Sequence, residues 1–150
     1  MINMENRMLT KGRFISMITV IFSGYVMDSG NADLMSYRKA GWIEEQDVIG
    51  KDEELDRRTA ARIIHMFMKK ILGIRDLKDI TPAYGLKDLF DCRVCADHIA
   101  EVYIRGIIQP IDMNGMLIFD VFRSVSEEEA EKMIAVLNEV WQNYKSDSGE

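Results

Sequence analysis

The sequence is poor in residues that interrupt helices and in residues that build catalytic or metal sites. Its 150 residues include two prolines, two histidines and two cysteines. Neither proline falls within a segment of helical pattern, which favours a mostly helical protein. The sequence has no glycine-rich phosphate loop and no Gly-x-Ser-x-Gly or His-Glu-x-x-His motif. We therefore expect a non-catalytic protein without a cofactor.

A concentrated basic face and a long apolar run are also lacking. The formal net charge is −6, whereas a nucleic-acid surface needs concentrated positive charge. The apolar stretch from Phe14 to Met27 is interrupted by small polar residues, Ser16 and Thr19 among them. This stretch predicts a structural helix rather than a signal peptide or a membrane span. We expect no nucleic-acid partner and no membrane insertion.

The length of the chain fits a single domain, which we place at residues 1–145. Residues 146–150 are rich in Ser, Asp and Gly and predict a disordered tail. The location of the protein depends on its true start. If Met1 is the native start, no segment directs export and we expect a cytoplasmic protein. If the chain is a fragment of an exported protein, we expect it at the cell surface.

Three segments share one helix-start pattern. An aliphatic residue precedes a capping residue, and apolar residues follow four, seven, eight and eleven positions after the cap. This spacing places the apolar residues on one helix face, which must be buried. The capping side chains can accept hydrogen bonds from the free N–H groups of a first turn. Three occurrences predict an internal repeat. The aliphatic residues are Leu9, Leu55 and Val125, and the caps are Thr10, Asp56 and Ser126.

The repeat divides the chain into long and short helices. Long helices are predicted over 10–27, 56–72 and 126–144, and short ones over 32–40 and 95–105. Each short helix ends at a glycine followed by two apolar residues, which is typical of a left-handed C-cap. The apolar run 116–122 is β-prone, and we expect it to hold its loop against the core. The predicted fold class is all-α.

These motifs resemble those of the S-layer homology family. The shared order is a short helix, Gly-apolar-apolar, an apolar loop and a helix start of the Thr-Arg-Ala-Glu type. One unit runs from Leu89-Phe90-Asp91 through Gly106-Ile107-Ile108 to Val125-Ser126-Glu127, and another contains Gly41-Trp42-Ile43 and Leu55-Asp56-Arg57. The resemblance covers nearly the whole chain. It implies a pseudo-threefold bundle of three long helices with shorter outer helices.

The resemblance also implies a binding function. Proteins of this family commonly attach to the bacterial cell wall by binding secondary cell-wall polysaccharide, often through an anionic pyruvylated sugar. The Arg of the Thr-Arg-Ala-Glu segment helps to hold that sugar, and its position is Lys11, Arg57 and Glu127 here. The family's frequent Trp falls at Ile99, and Trp42 replaces it only if exposed. The glycan-binding candidates are Arg57, Arg58, Trp42 and Lys11.

A protein-interaction module is the alternative function. Lys11 and Glu127 depart from the family's Arg, as expected if an intracellular protein kept the bundle and lost its glycan grooves. The segment from Leu9 to Phe14 looks like the final half of a further motif. A face left uncovered by the missing half would favour a homodimer. The two partners left open are secondary cell-wall polysaccharide and another protein.

Cys92 and Cys95 form a separate candidate site with His98. Two thiolates three residues apart and a nearby His can share a metal ion, and the cysteines can also form a reversible disulfide. A second pair of cysteines is absent from the sequence, so a tetrahedral site would need a further ligand such as His65. The third alternative is a pair of buried or inert thiols, and we expect this one, with no metal.

Overall fold

The protein is mostly helical with one small sheet. The computed structural model describes residues 8–26 and 33–147. Within these ranges the helices are α1 (Lys11–Ile21), α2 (Leu34–Ala40), α3 (Glu45–Ile49), α4 (Arg57–Phe67), α5 (Ala96–Ile104) and α6 (Glu127–Asp147). A π-helical turn at Met68–Leu72 prolongs α4, and 3₁₀ turns lie at Thr81–Gly85, Leu89–Asp91 and Arg93–Cys95. The strands β1 (Ile111–Met113) and β2 (Met116–Ile118) form an antiparallel hairpin.

The expectation of a mainly helical protein is confirmed, and the five predicted helices are present. The first is shorter than predicted, since α1 ends at Ile21 and the following residues form a turn. Residues 27–32, which include the predicted start of the second helix, lie outside the described residues. None of the described helices is long and apolar enough to span a membrane.

The last helix is longer than predicted. Helix α6 continues to Asp147, so residues 146 and 147 are helical, which corrects the prediction of a disordered tail there. The physical reason is that no proline or glycine lies between Glu127 and Gly149. Residues 148–150, the remainder of the predicted tail, lie outside the described residues.

Two elements were not expected from the sequence. Helix α3 begins with a capping box in which Glu44 and Asp47 satisfy each other's backbone N–H groups. The β-hairpin turns at Asn114 and Gly115, whose φ angles are 55° and 86°. This left-handed pair is the usual turn of a tight hairpin. The predicted all-α class is therefore corrected to a mostly helical fold with a two-stranded sheet.

The three predicted caps all form. Thr10 accepts a hydrogen bond from the backbone N–H of Arg13 at 3.2 Å. Asp56 accepts one from Thr59 at 2.8 Å, and Ser126 accepts one from Glu129 at 3.1 Å. The helix starts of α1, α4 and α6 are thus fixed by the local chemistry that the sequence indicates.

The three aliphatic residues that precede these caps are joined in a ring of backbone hydrogen bonds. Leu9 donates to the carbonyl of Val125 at 3.0 Å, Val125 donates to Leu55 at 2.9 Å, and Leu55 donates to Leu9 at 2.8 Å. All three residues are buried. Each one donates once and accepts once within the ring, so the starts of α1, α4 and α6 are held against one another. We call this arrangement the cap ring.

The core lies between the long helices, on the faces predicted from the apolar spacing. In α4 and α6 all eight predicted positions are buried. In α1 the first and third predicted positions, Phe14 and Ile18, are buried, but Ile21 is 55% exposed. The reason is that α1 ends at Ile21, and the core beyond it is built by Phe22, whose ring centre lies 5.1 Å from that of Phe67.

The apolar run 116–122 holds its loop against the core as predicted. Phe119 and Val121 are buried. The carboxylate of Asp88 fixes this loop by accepting the backbone N–H groups of Phe119 and Asp120, both at 2.7 Å. The loop in turn presents a backbone carbonyl to the first turn of α4, which matters for the site described next.

Candidate functional site

Arg57 is a buried structural residue. Its Nε donates to the carbonyl of Phe119 at 2.7 Å, one terminal nitrogen donates to the carbonyl of Gln109, and the other donates to Glu129 at 3.2 Å. Burial lowers the pKa of Arg57, and the nearby carboxylate of Glu129 opposes this effect. Because every nitrogen of the guanidinium already donates to the protein, Arg57 is not placed to hold a ligand, and it loses its support as a glycan-binding residue.

Trp42 does not provide a sugar-stacking surface. Its side chain is fully buried, with its ring centre 5.2 Å from that of Tyr37 and 4.8 Å from that of Phe67. The condition under which Trp42 replaces the aromatic residue of the family, exposure of its ring, is therefore not met. Trp42 instead joins α2 and α4 to the common core.

Lys11 and Arg58, the remaining two candidates, line the same cavity beside the start of α4. Its volume is about 380 Å³. The structure therefore brings two of the four predicted residues together and places the other two in the core. The cavity wall also contains residues that the resemblance does not single out: Glu44, Thr59, Arg62, Cys92, Cys95 and His98.

Most of the positive charge in this cavity is paired. Arg62 contacts Asp47 through two nitrogens, at 2.8 and 2.7 Å. Burial alone would lower the pKa of Arg62, but the hydrogen bonds and the attraction from Asp47 outweigh it and raise the pKa. Lys11 pairs with Glu53 at 3.1 Å. Arg62 and Lys11 are therefore held in place by carboxylates and have little freedom to reach a ligand.

Arg58 is the cation in the cavity with the most freedom. Its side chain is 41% exposed. Among the described residues, its guanidinium makes one hydrogen bond, from Nε to Asp56 at 3.1 Å. Its charged end also lies 4.8 Å from the ring centre of Phe122, a contact that favours a fixed orientation of the guanidinium plane. The two terminal nitrogens of Arg58 are thus the donors best placed to bind an anion.

The helix start itself offers no backbone donors. The N–H of Arg57 donates to the carbonyl of Arg123, that of Arg58 donates to Val121, and that of Thr59 donates to Asp56. A helix N-terminus binds anions chiefly through such N–H groups. An anion in this cavity would therefore be bound by side chains, with only the general field of the helix in addition.

A chain of three side chains leads from the surface to the cavity. Nε2 of His65 lies 2.8 Å from a carboxylate oxygen of Asp76, and Nδ1 of His65 lies 2.8 Å from Nδ1 of His98. His65 is buried. Burial lowers the pKa of His98 to about 4, and the positive charge of His65 and Arg62 acts in the same direction. His98 is therefore uncharged at neutral pH.

One grouping among the described residues brings metal-ligand atoms together. Atoms of His65, Asp76 and Glu101 lie within 4.8 Å of one another. Each carboxylate, however, already has a cationic partner: Lys69 lies 3.1 Å from Asp76, and Arg105 lies 3.1 Å from Glu101. This grouping is explained as a network of ion pairs and hydrogen bonds.

Cys92 and Cys95 are bonded to each other as a disulfide. The turn at Arg93–Cys95 brings their Cα atoms to 5.2 Å, which is within the range that a disulfide spans. The expectation of two thiols, buried or inert, is therefore wrong, and both residues are half-buried. A metal site of Cys92, Cys95 and His98 is not formed either, because the sulfurs are bonded and His98 turns to His65.

Sequence reasoning missed the buried charges around the cavity. Asp47 and Arg62 belong to no motif and lie 15 residues apart, so nothing in the sequence predicts an ion pair between them. His65 and His98 are the two histidines of the chain. Their low number is the one feature of the sequence that singles them out, and it does not indicate that they are in contact.

No protein-family model matches the chain, and neither does any curated protein or solved structure.

Proposed function

We propose that this protein is a non-catalytic binding domain with the pseudo-threefold arrangement of the S-layer homology family. The cap ring supports this proposal, because Leu9, Leu55 and Val125 occupy equivalent positions in it and each lies two residues before the start of a helix. The same cap hydrogen bond, to the N–H three residues after the capping residue, follows each of them and supports it further. An internal repeat of three units accounts for both observations with one rule.

We propose that its ligand is an anionic secondary cell-wall polysaccharide at the cell surface, bound in the cavity of Lys11 and Arg58. The observation that carries this proposal is the half-exposed guanidinium of Arg58, whose terminal nitrogens make no hydrogen bond among the described residues. A guanidinium matches a sugar carboxylate in shape and charge. Thr59 lines the same cavity, and a threonine hydroxyl can donate to a sugar. The proposed binding residue thus shifts from Arg57 to Arg58.

The test is co-sedimentation of the purified protein with Gram-positive cell-wall sacculi, before and after acid removal of the secondary polymers. We expect retention on untreated walls only, and weaker retention at high salt because the contact is ionic. Arg58→Gln should lower the retained fraction. Arg38→Gln is the matched control, since the Arg38 side chain is 39% exposed and lies on α2, outside the cavity.

The result that would contradict the proposal is equal retention of the two variants, or equal retention on treated and untreated walls. Arg57 is unsuitable for this test, because its loss disturbs the fold as well as the charge. Circular dichroism of each variant before sedimentation separates a binding defect from unfolding.

A second candidate function is association with another copy of the chain. The observation that favours it is an apolar groove of about 550 Å³ between α1 and α6, lined by Met17, Val20, Ile21 and Ile134. Val20 lines this groove and is 71% exposed. Sedimentation equilibrium of the native protein and of Val20→Ser tests this function. A dimer that weakens in the variant supports it, and a monomer at all concentrations excludes it.

A further inference from the structure

We propose that the Cys92–Cys95 disulfide is a redox-active pair that exchanges with small thiols through the cavity beside α4. This inference is independent of polysaccharide binding. It rests on the short span of the disulfide, on the position of both cysteines in the cavity wall and on the cationic side chains around them.

The disulfide contributes little to holding the fold together. It closes a loop with two residues between the cysteines, and a loop this short restricts the unfolded chain less than a long loop does. The same turn is already closed by a backbone hydrogen bond, from the N–H of Cys95 to the carbonyl of Cys92 at 3.0 Å. A disulfide with a structural role would join elements that are distant in the sequence, whereas this disulfide joins two residues of the same turn.

The disulfide is also accessible. Cys92 and Cys95 are half-buried and line the open cavity. Val94, between them, is 86% exposed. A small thiol that enters the cavity can therefore approach the sulfur atoms without unfolding the protein.

The surroundings favour the thiolate that exchange must release. Cys92 directly precedes a continuous helical run, the turn Arg93–Cys95 followed by α5, and the start of a helix carries partial positive charge. The cavity wall supplies Arg58, together with Lys11 and Arg62, whose charges are paired with Glu53 and Asp47. His98 adds no charge at neutral pH, because its pKa is lowered to about 4 by burial and by neighbouring cations. We therefore assign Cys92 as the sulfur that leaves as a thiolate.

Complete reduction of the disulfide consumes two molecules of a thiol such as glutathione. The first thiolate attacks Cys95, the bond between Cys92 and Cys95 breaks, and Cys92 leaves as a thiolate that takes a proton from solvent. The second thiolate attacks the outer sulfur of the mixed disulfide and releases Cys95. The protein gains two electrons and two protons, and two thiols become one disulfide.

The experiment equilibrates the intact protein with defined mixtures of reduced and oxidised glutathione, followed by acid quench, alkylation and mass measurement. We expect complete and reversible conversion between disulfide and dithiol, with an unchanged circular dichroism spectrum. Two results would each overturn the proposal. One is recovery of free thiols even in excess oxidised glutathione. The other is a disulfide that reduced glutathione opens only in denaturant.

A pair of variants tests the contribution of the cavity. Arg58→Gln removes a cation near the disulfide, and we expect the equilibrium constant to shift toward the disulfide by roughly two- to fivefold. Arg38→Gln, at similar exposure on α2, should leave the constant unchanged. Equal constants for the two variants would overturn the role given to the cavity charge. Wall retention is measured separately, so failure of polysaccharide binding would not affect this result.

Discussion

Nδ1 of His65 and Nδ1 of His98 lie 2.8 Å apart, so one of these nitrogens must donate and the other must accept. Nε2 of His65 faces the carboxylate of Asp76, an acceptor, and therefore carries a proton. When His65 is neutral, its Nδ1 accepts and His98 donates. The acceptor nitrogen of His98 is then Nε2. An exposed carboxylate thus determines the tautomer of a histidine in the cavity wall.

The contact between His65 and His98 leads us to expect that the protein is less stable in mild acid. The pKa of His98 falls from its ordinary 6.5 to about 4 in the folded protein. Between these values the unfolded chain takes up a proton that the folded protein refuses, so the free energy of unfolding should fall with decreasing pH. We expect a loss of about 2 kcal/mol, allowing for the partial exposure of the ring. Asp76 has a lowered pKa, so its own stabilising effect is lost only below this window.

Urea unfolding at pH 7 and pH 4.5 checks this prediction. In His98→Gln the difference in unfolding free energy between the two pH values should shrink. The same pH dependence in the native protein and the variant would assign the effect to other groups.

Replacement of Arg57 should destabilise the protein strongly. Arg57→Gln leaves the carbonyls of Phe119 and Gln109 without their donor, and we expect the free energy of unfolding to fall by about 3 kcal/mol. Arg58→Gln removes a half-exposed charge from the next position and should cost less than about 1 kcal/mol. Urea denaturation of both variants measures the difference. Similar values would mean that the bonds of Arg57 add little to stability.

Asp88 should matter for stability although it belongs to no motif. Asp88→Ala removes the acceptor of the N–H groups of Phe119 and Asp120. We expect a loss of about 2 kcal/mol, since two partly buried donors become unpaired. The control is Asp91→Ala, because Asp91 is exposed. Thermal unfolding of the two variants compares them, and a melting temperature for Asp88→Ala equal to that of the control would contradict the assigned role.

The cap ring should protect its amides from exchange with solvent. The N–H groups of Leu9, Leu55 and Val125 are buried and paired with one another, so they should exchange only when the core opens. Their protection should match that of the α4 interior. The amide of Glu53, in an exposed turn, is the comparison. Hydrogen exchange followed by NMR measures each site, and fast exchange at Leu9 alone would show that the ring opens locally.

The parts of the fold that the sequence predicts well are the parts with local signals. Each cap bonds to an N–H three residues later, and the apolar spacing that follows indicates which face is buried. The hairpin was missed because strands of three residues give too short a pattern to be distinguished from a loop.

The site was predicted less well, because its geometry depends on contacts between distant residues. Arg57 is buried by acceptors that lie 52, 62 and 72 residues away along the chain. The sequence marks Arg57 as a first-turn residue, and that is equally compatible with an exposed cation. The resemblance to a family therefore points to the start of α4, but the arginine that it places in the motif is one that the structure buries.

In the cap ring, each of the three backbone N–H groups donates to a carbonyl of the ring, and each of the three carbonyls accepts one of these N–H groups. No strand-like edge is left at this point for another segment to join. Repeats that stack in a line can be lengthened by adding units at an end, whereas a closed triangle of hydrogen bonds has no end. A fourth segment inserted here would have to displace one of the three, so the backbone pairing limits the cap ring to three segments.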